Sequence, residues 1–300
     1  MIPDKQLIIG CVAENSHKYL SQALRLVQSV RWFGGKIAST SIRVCAIESI
    51  DSSFRSHFER YGATVRIVPR YDTKSPVANK IRFLQQEDIL DYETILLLDC
   101  DTIIVQDPNR YLSERVFKAK IADLPTMPHD NFAVLFDFFG MPLPTQDYSC
   151  TVFGEPTIPY FNTGVLIFPR SALSTLVPKW IEFTNTLIEN MDLIAGREHF
   201  CEQASMSLAL ASTGQKFKVM GNEMNFPTHL ESYKKSSLLH NIDPIIIHYH
   251  SCFDSHGYIN HSKHPLVNER IMQFNNRLRQ EKGSFSFKSL SDKIFRKVIN

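Results

Sequence analysis

No apolar run in this 300-residue chain approaches the roughly 20 residues that a membrane-spanning helix needs. The opening stretch MIPDKQLIIG lacks the basic start and long apolar centre of a secretory leader, so the expected location is the cytoplasm. Charge of one sign is also missing. The 33 Lys and Arg and 31 Asp and Glu leave a formal net charge of +2, far from the concentrated basic surface that nucleic acid requires. The cysteines (Cys11, Cys45, Cys100, Cys150, Cys201, Cys252) contain no Cys-x-x-Cys pair. That argues against a zinc site built from them and predicts reduced thiols in a reducing compartment. There is no internal repeat and no low-complexity segment. What remains is the composition of an ordinary globular protein, long enough to bury a sizeable core.

Within that frame, strand and helix patterns alternate. LIIGCVA (7–13) reads as a buried strand, and Leu20, Leu24, Val27 and Val30 share one face of a helix over 16–33 that Gly34-Gly35 stops. Strands over 42–48 and 64–70 flank a helix near 51–61, and Ser75-Pro76 opens a helix to about residue 87. TILLLDCDTIIV reads as the fourth strand. This alternation predicts an α/β fold with a parallel sheet flanked by helices. Residues 124–160, rich in proline and aromatics without a clean period, are expected to form a long functional loop. TGVLIFP (163–169) is a strand, 176–193 and 198–212 are helices, and KFKVMG and PIIIHYH are strands.

The stretch ILLLDCDTIIVQDP carries the chemistry. Four apolar residues run into Asp99 and Asp101, where a buried parallel strand would emerge and where ligands bind in open α/β sheets. Two carboxylates this close repel, and unpaired buried charge is costly. A divalent cation such as Mn²⁺ or Mg²⁺, bridging the carboxylates to substrate phosphates, resolves the conflict.

At these residues the chain resembles nucleotide-sugar glycosyltransferases of the GT-A fold, family 8 in particular. ILLLDCD resembles their DxD signature. CVAENSHKYLSQALRLVQSV resembles the first strand, nucleotide loop and helix, PYFNTGVLIFPRS the F-N-[AT]-G-V strand, CEQASMSLAL the D-Q helix, and IIHYH the closing metal-ligand segment. The likeness spans about residues 7–256. It implies a GT-A (Rossmann-like), mostly parallel central sheet flanked by helices. The enzyme would be metal-dependent and move a sugar from a UDP-sugar to a hydroxyl of a glycan or glycolipid, with retention, as in polysaccharide or lipopolysaccharide synthesis. Ala13, Glu14 and Asn15 would hold the uridine, and Asp99, Asp101 and His248 the metal, with Asp99 also near the ribose. Lys80, ahead of Arg82, would touch the donor, as would Asn162, while Gly164 would admit close backbone approach. Glu202 and Gln203 would stand at the reacting centre, although the family has Asp where this chain has Glu202.

Some alternatives stay open. His250 alternates with His248 on a strand and faces the same way, so either imidazole is a candidate ligand. Glu202 or Asp130 could serve as the base of an inverting enzyme. A non-catalytic sugar-nucleotide-binding module, a zinc hydrolase using His248, His250 and His256, and a phosphatase of the haloacid dehalogenase type are further readings. The catalytic domain is expected over 1–264, followed by a basic, partly amphipathic helical extension over 265–300. Phe285, Phe287, Leu290, Ile294, Phe295 and Val298 among lysines and arginines could rest on an anionic membrane at its inner face.

Overall fold

The computed structural model describes residues 5–233 and 236–298, with side chains as far as Glu281. β1 (Lys5–Ala13) feeds α1 (His17–Phe33), which opens where the Ser16 side chain accepts a bond from Tyr19 N–H. Gly35, at φ +54°, takes the left-handed turn that carries the chain off this helix. β2 (Ser41–Ile47), α2 (Ser52–Arg60) and β3 (Ala63–Val68) follow as the alternation predicts. The helix expected from Ser75-Pro76 is shorter: a 3₁₀ turn over Pro76–Lys80 and then α3 (Ile81–Leu84). Ile81, Phe83 and Leu84 are buried, while Arg82 is partly exposed and Gln85 exposed.

The DxD stretch is not one strand. β4 (Tyr92–Leu98) and β5 (Thr102–Ile104) belong to different sheets, and Asp99–Cys100–Asp101 turns between them. After α4 (Asn109–Leu112) and β6 (Phe117–Ile121), the expected long loop contains α5 (His129–Phe138) and a small hairpin of β7 (Tyr148–Ser149) and β8 (Pro156–Thr157). Phe132, Leu135 and Phe136 drive α5: they are buried at positions i, i+3 and i+4, a helical period hidden among the flanking prolines. β9 (Phe161–Pro169), α6 (Arg170–Glu189), α7 (Cys201–Thr213) and β10 (Phe217–Val219) complete the main body. β11 (Phe226–Pro227), β12 (Ile246–His248) and α8 (Pro265–Val298) close the chain.

Seven strands form the central sheet in the order β10-β6-β9-β4-β1-β2-β3, parallel except that β9 runs against both its neighbours. β11, β12 and β5 form a second, smaller sheet. One face of the large sheet packs under α6 and α7, around Phe168 and the fully buried Trp180. The other packs under α1 and α2. A third cluster joins the small sheet to Val267, Ile271, Phe274 and Leu278 of α8. The apolar and basic tail residues proposed for a membrane surface lie outside the described side chains. Among the described residues no helix is long and apolar enough to cross a membrane.

Candidate active site

The site forms where the chain leaves the large sheet. Leu98 pairs with Val165, and the Asp99 N–H donates to the Gly164 carbonyl at 2.9 Å. The Asp99 carbonyl then accepts from the N–H and the hydroxyl of Thr102, at 3.1 and 2.8 Å. These bonds close the turn, so Asp101 stands between the two sheets rather than along one strand.

β12 brings the first imidazole. His248 pairs with Thr102 across the small sheet, and its Nε2 comes within 3.1 Å of Asp101 Oδ1. Its Nδ1 lies 3.1 Å from Asn225 Oδ1, and Asn225 Nδ2 donates to Asn162 Oδ1 at 3.1 Å. This chain of amides makes Nδ1 of His248 the donor to Asn225 and leaves Nε2 toward Asp101. The second imidazole arrives differently from the expectation. The strand ends at His248, and His250 reaches the same side through a left-handed turn at φ +51°. Its ring stacks on His248 with centroids 3.8 Å apart, and its Nδ1 is 3.7 Å from Asp101 Oδ2. Tyr249 between them is buried.

Charge is finely balanced here. Burial would raise the Asp101 carboxyl, but His248 and His250 hold it well below the usual carboxylate range. Burial opposes the charge on His248, and Asp101 outweighs it, so its pKa rises. His250 is driven down by burial and by the positive charge of His248. Ligand atoms of Asp101, His248 and His250 lie within 4.8 Å of one another, and His250 Nε2 is buried without a partner. One carboxylate and two imidazoles, one of them with an unpartnered ring nitrogen, are a donor set that fits a divalent cation, bound in place of the His248 proton.

Asp99 faces the other way. Its Oδ1 pairs with Lys80 Nζ at 2.7 Å, and Lys80 also donates to the Thr163 hydroxyl at 3.1 Å and approaches Glu202 Oε1 at 3.6 Å. Burial opposes the Lys80 charge, but Asp99, Glu202 and Asp101 outweigh it and raise its pKa. Glu202 is only 2% exposed; its Oε1 accepts from Thr163 at 2.8 Å, and its Oε2 is buried without a partner. The indole of Trp180 donates to the Glu202 carbonyl at 2.8 Å, pinning the first turn of α7 and with it the neighbouring Gln203.

Asn162 accepts from the Gly164 N–H and donates to Asp123 Oδ2, both at 2.9 Å. A Cβ on Gly164 would lie 2.6 Å from His248 Cε1, so this glycine makes room for the imidazole itself. At the end of β1, Glu14 is gripped by Arg70 at 2.6 and 2.8 Å and by Asn79 at 2.6 Å. Ala13 is buried, and exposed Asn15 bonds the Ser49 hydroxyl. Arg82 turns away to the carbonyls of Pro69 and Arg70. Asp130 is exposed in the first turn of α5, outside the residues lining the cavity.

One open cavity of about 890 Å³ runs from Glu14 past Asp99, Asp101, Asn162 and His248 to Glu202 and Gln203, whereas Ala13, Asn15 and Gly164 are not on its wall. The motif reading missed Asp123, Lys120, Asn225 and Arg70. Asp123 and Arg70 had a signal: like Asp99, each follows a strand pattern, FKAKI and TVRIV, at its carboxyl end. Lys120 and Asn225 had none, because alternation marks Lys120 as a strand residue only.

A family model for the Rhodobacterales glycosyltransferase domain matches residues 9–214. The chain belongs to this family. Among solved structures, this glycosyltransferase is similar to the galactosyltransferase LgtC in complex with donor and acceptor sugar analogues, at 14% identity and TM-score 0.56 over 90% of this chain and 95% of that one. It is also similar to the glycosyltransferase GlyE of Streptococcus pneumoniae, at 14% identity and TM-score 0.52 over 90% of this chain and 60% of that one. At such identity the likeness shows the fold, which is GT-A and resembles family 8. No curated protein matches the sequence. Membership in a glycosyltransferase family sets aside the phosphatase and zinc-hydrolase readings.

Proposed function

We propose that this glycosyltransferase takes a sugar from a UDP-sugar and joins it to a hydroxyl of a glycan or glycolipid acceptor, with a divalent cation at Asp101, His248 and His250 beside Asp99. The observation that carries the reading is the meeting of these ligand atoms within 4.8 Å on the wall of a cavity sized for such a ligand. Two nitrogen donors favour Mn²⁺ over Mg²⁺, which prefers oxygen alone. When bound, the cation neutralises charge on the leaving diphosphate.

The chain's own groups divide the remaining work. Glu14, immobilised by Arg70 and Asn79, stands with Ala13 and Asn15 at the nucleoside end. Lys80, Asn162 and Asp123 present fixed polar groups toward the sugar, with Asp99 between sugar and diphosphate. The acceptor oxygen forms the new bond to the anomeric carbon on the face that UDP leaves; UDP departs with the bonding pair, and its freed phosphate oxygen takes the acceptor's proton. Two features support retention over inversion. Glu202 is almost fully buried, with its Oε1 tied to Thr163 and Lys80. Asp130 stands outside the cavity wall.

The test is UDP release from a panel of UDP-sugars, with Mn²⁺ or with a chelator, for wild type and Asp101→Asn. Release from one sugar that needs metal and falls about a hundredfold or more in the variant is expected. Release indifferent to both chelator and substitution, or absent with every UDP-sugar, would overturn the reading.

A further inference from the structure

The cavity wall carries three lysines, Lys18, Lys74 and Lys80. Lys80 is already matched by Asp99 and Glu202. Among the described residues, no carboxylate lies within ion-pair distance of Lys18 or Lys74. Their placements differ. Lys74 belongs to the segment that leads to Asn79 and Lys80, with its backbone N–H held by Asp72 at 2.7 Å. Lys18 is exposed in the first turn of α1, and its Nζ lies 3.1 Å from the Ser251 hydroxyl. Ser251 directly follows His250. The same face of α1 grips this segment further along: Gln22 donates to the His250 carbonyl at 2.6 Å, and Arg25 to the Gly257 carbonyl at 2.8 Å.

We propose that Lys18 is the side chain that meets the diphosphate of the bound nucleotide, with Ser251 as its neighbour. This rests on the sugar-nucleotide reading above and adds to it a residue to which the motifs assigned no role. A diphosphate diester carries one negative charge on each phosphate, and the free nucleoside diphosphate gains another when the bond to the sugar breaks. A dication at Asp101, His248 and His250 would have one of its charges met by the Asp101 carboxylate and would offset only one of these two. Asp99 and Lys80 already neutralise one another, so the charge that develops on departure needs a further cation on the histidine side of the cavity. Lys18 is the unmatched ammonium there, at a helix end whose partial charge is also positive. A positive group aimed at the leaving group stabilises the departing form more than the ground state. Lys18 therefore favours UDP over UDP-sugar, and either over uridine.

Calorimetric titration of uridine, UDP and a UDP-sugar, in Mn²⁺ and in chelator, into wild type, Lys18→Met and Lys18→Arg tests this. Lys18→Met should weaken UDP roughly tenfold, the UDP-sugar less and uridine not at all, and Lys18→Arg should retain most of the affinity. If wild type binds UDP and Lys18→Met binds it equally well, the role of Lys18 is wrong and the sugar-nucleotide reading stands. Equal weakening of uridine and UDP would assign Lys18 to the support of α1 and also overturn the proposal. If wild type binds no UDP under any condition, the sugar-nucleotide reading fails and this inference falls with it. Lys18 is exposed and packs in no core cluster, so thermal melting of the variants should match wild type.

Discussion

At the scale of single residues, the site depends on one absent side chain as much as on those present. Gly164 lies against the ring of His248, with a would-be Cβ 2.6 Å from Cε1 and 2.7 Å from Nδ1. The imidazole cannot yield easily, because Asn225 holds one edge and His250 stacks on its face. Gly164→Ala should shift His248 by a fraction of an ångström to an ångström and reduce turnover about a hundredfold. Its far-ultraviolet circular dichroism should match wild type, and Mn²⁺ affinity measured by titration should fall in parallel. Unchanged Mn²⁺ affinity in the folded variant would separate the glycine from the ligand cluster.

At the scale of elements, local ties decide where strands deliver their ends. The β6–β9 ladder shifts register between Ala119 and Lys120, and beyond the shift Lys120 pairs with Asn162. That irregularity lets β6 place Asp123 beside Asn162 at the rim of the cavity. On the opposite side, β2 is locked to the connection before β4 by Arg43, which makes paired bonds of 2.8 and 2.6 Å to Asp88. The hydrogen-bonded guanidinium holds the Asp88 carboxyl below its ordinary value, against the opposing effect of burial. A carboxyl depressed on folding adds stability that is full above its unfolded value, near 3.9, and is lost as the pH falls through the folded value. Asp88→Asn should lower stability at pH 7 by about 2 kcal/mol, since Arg43 stays buried. Urea melts between pH 7 and pH 3 should show wild type losing part of this difference at the acid end. A gap between the two proteins that does not narrow there would exclude the ion pair as its source.

At the scale of the molecule, the candidate active site lies at the seam between two sheets. Asp99 hangs from the large sheet, His248 from the small one, and buried Lys120 bridges them: its Nζ donates to Asp123 at 2.5 Å and to the Asn225 carbonyl at 2.6 Å. Burial lowers the Lys120 pKa, and Asp123 opposes that shift. Lys120→Met should destabilise by about 3 kcal/mol by leaving Asp123 unpaired, and adding Asp123→Leu should recover part of that loss. Denaturant midpoints of the single and double variants measure both effects; additive losses would mean the two residues do not act as a pair. For the same reason a ligand that spans the seam should stabilise the fold: Mn²⁺ with UDP at a hundred times their dissociation constant should add about 2.7 kcal/mol, visible as a rise in melting temperature.

The sequence by itself determined the alternating architecture and the family. Apolar runs of strand length and helical stripes such as Leu20, Leu24, Val27 and Val30 report burial through local periodicity, and ILLLDCD, FNTG and HYH stand out as short contiguous words. It also pointed to Asp101 and His248, which follow or end apolar runs visible in the pattern, while the family resemblance put Lys80 ahead of Arg82. Only the tertiary structure decided which groups share a volume. It split the DxD run between two sheets, paired Asp99 with Lys80, and brought His250 to Asp101 through a left-handed turn. It joined Lys120, Asp123, Asn162 and Asn225 into one network, and it laid Lys18 beside Ser251, 233 positions away. Periodicity is a property of neighbours along the chain, whereas charge pairing and ligand geometry depend on distances that only sheet register and helix packing set.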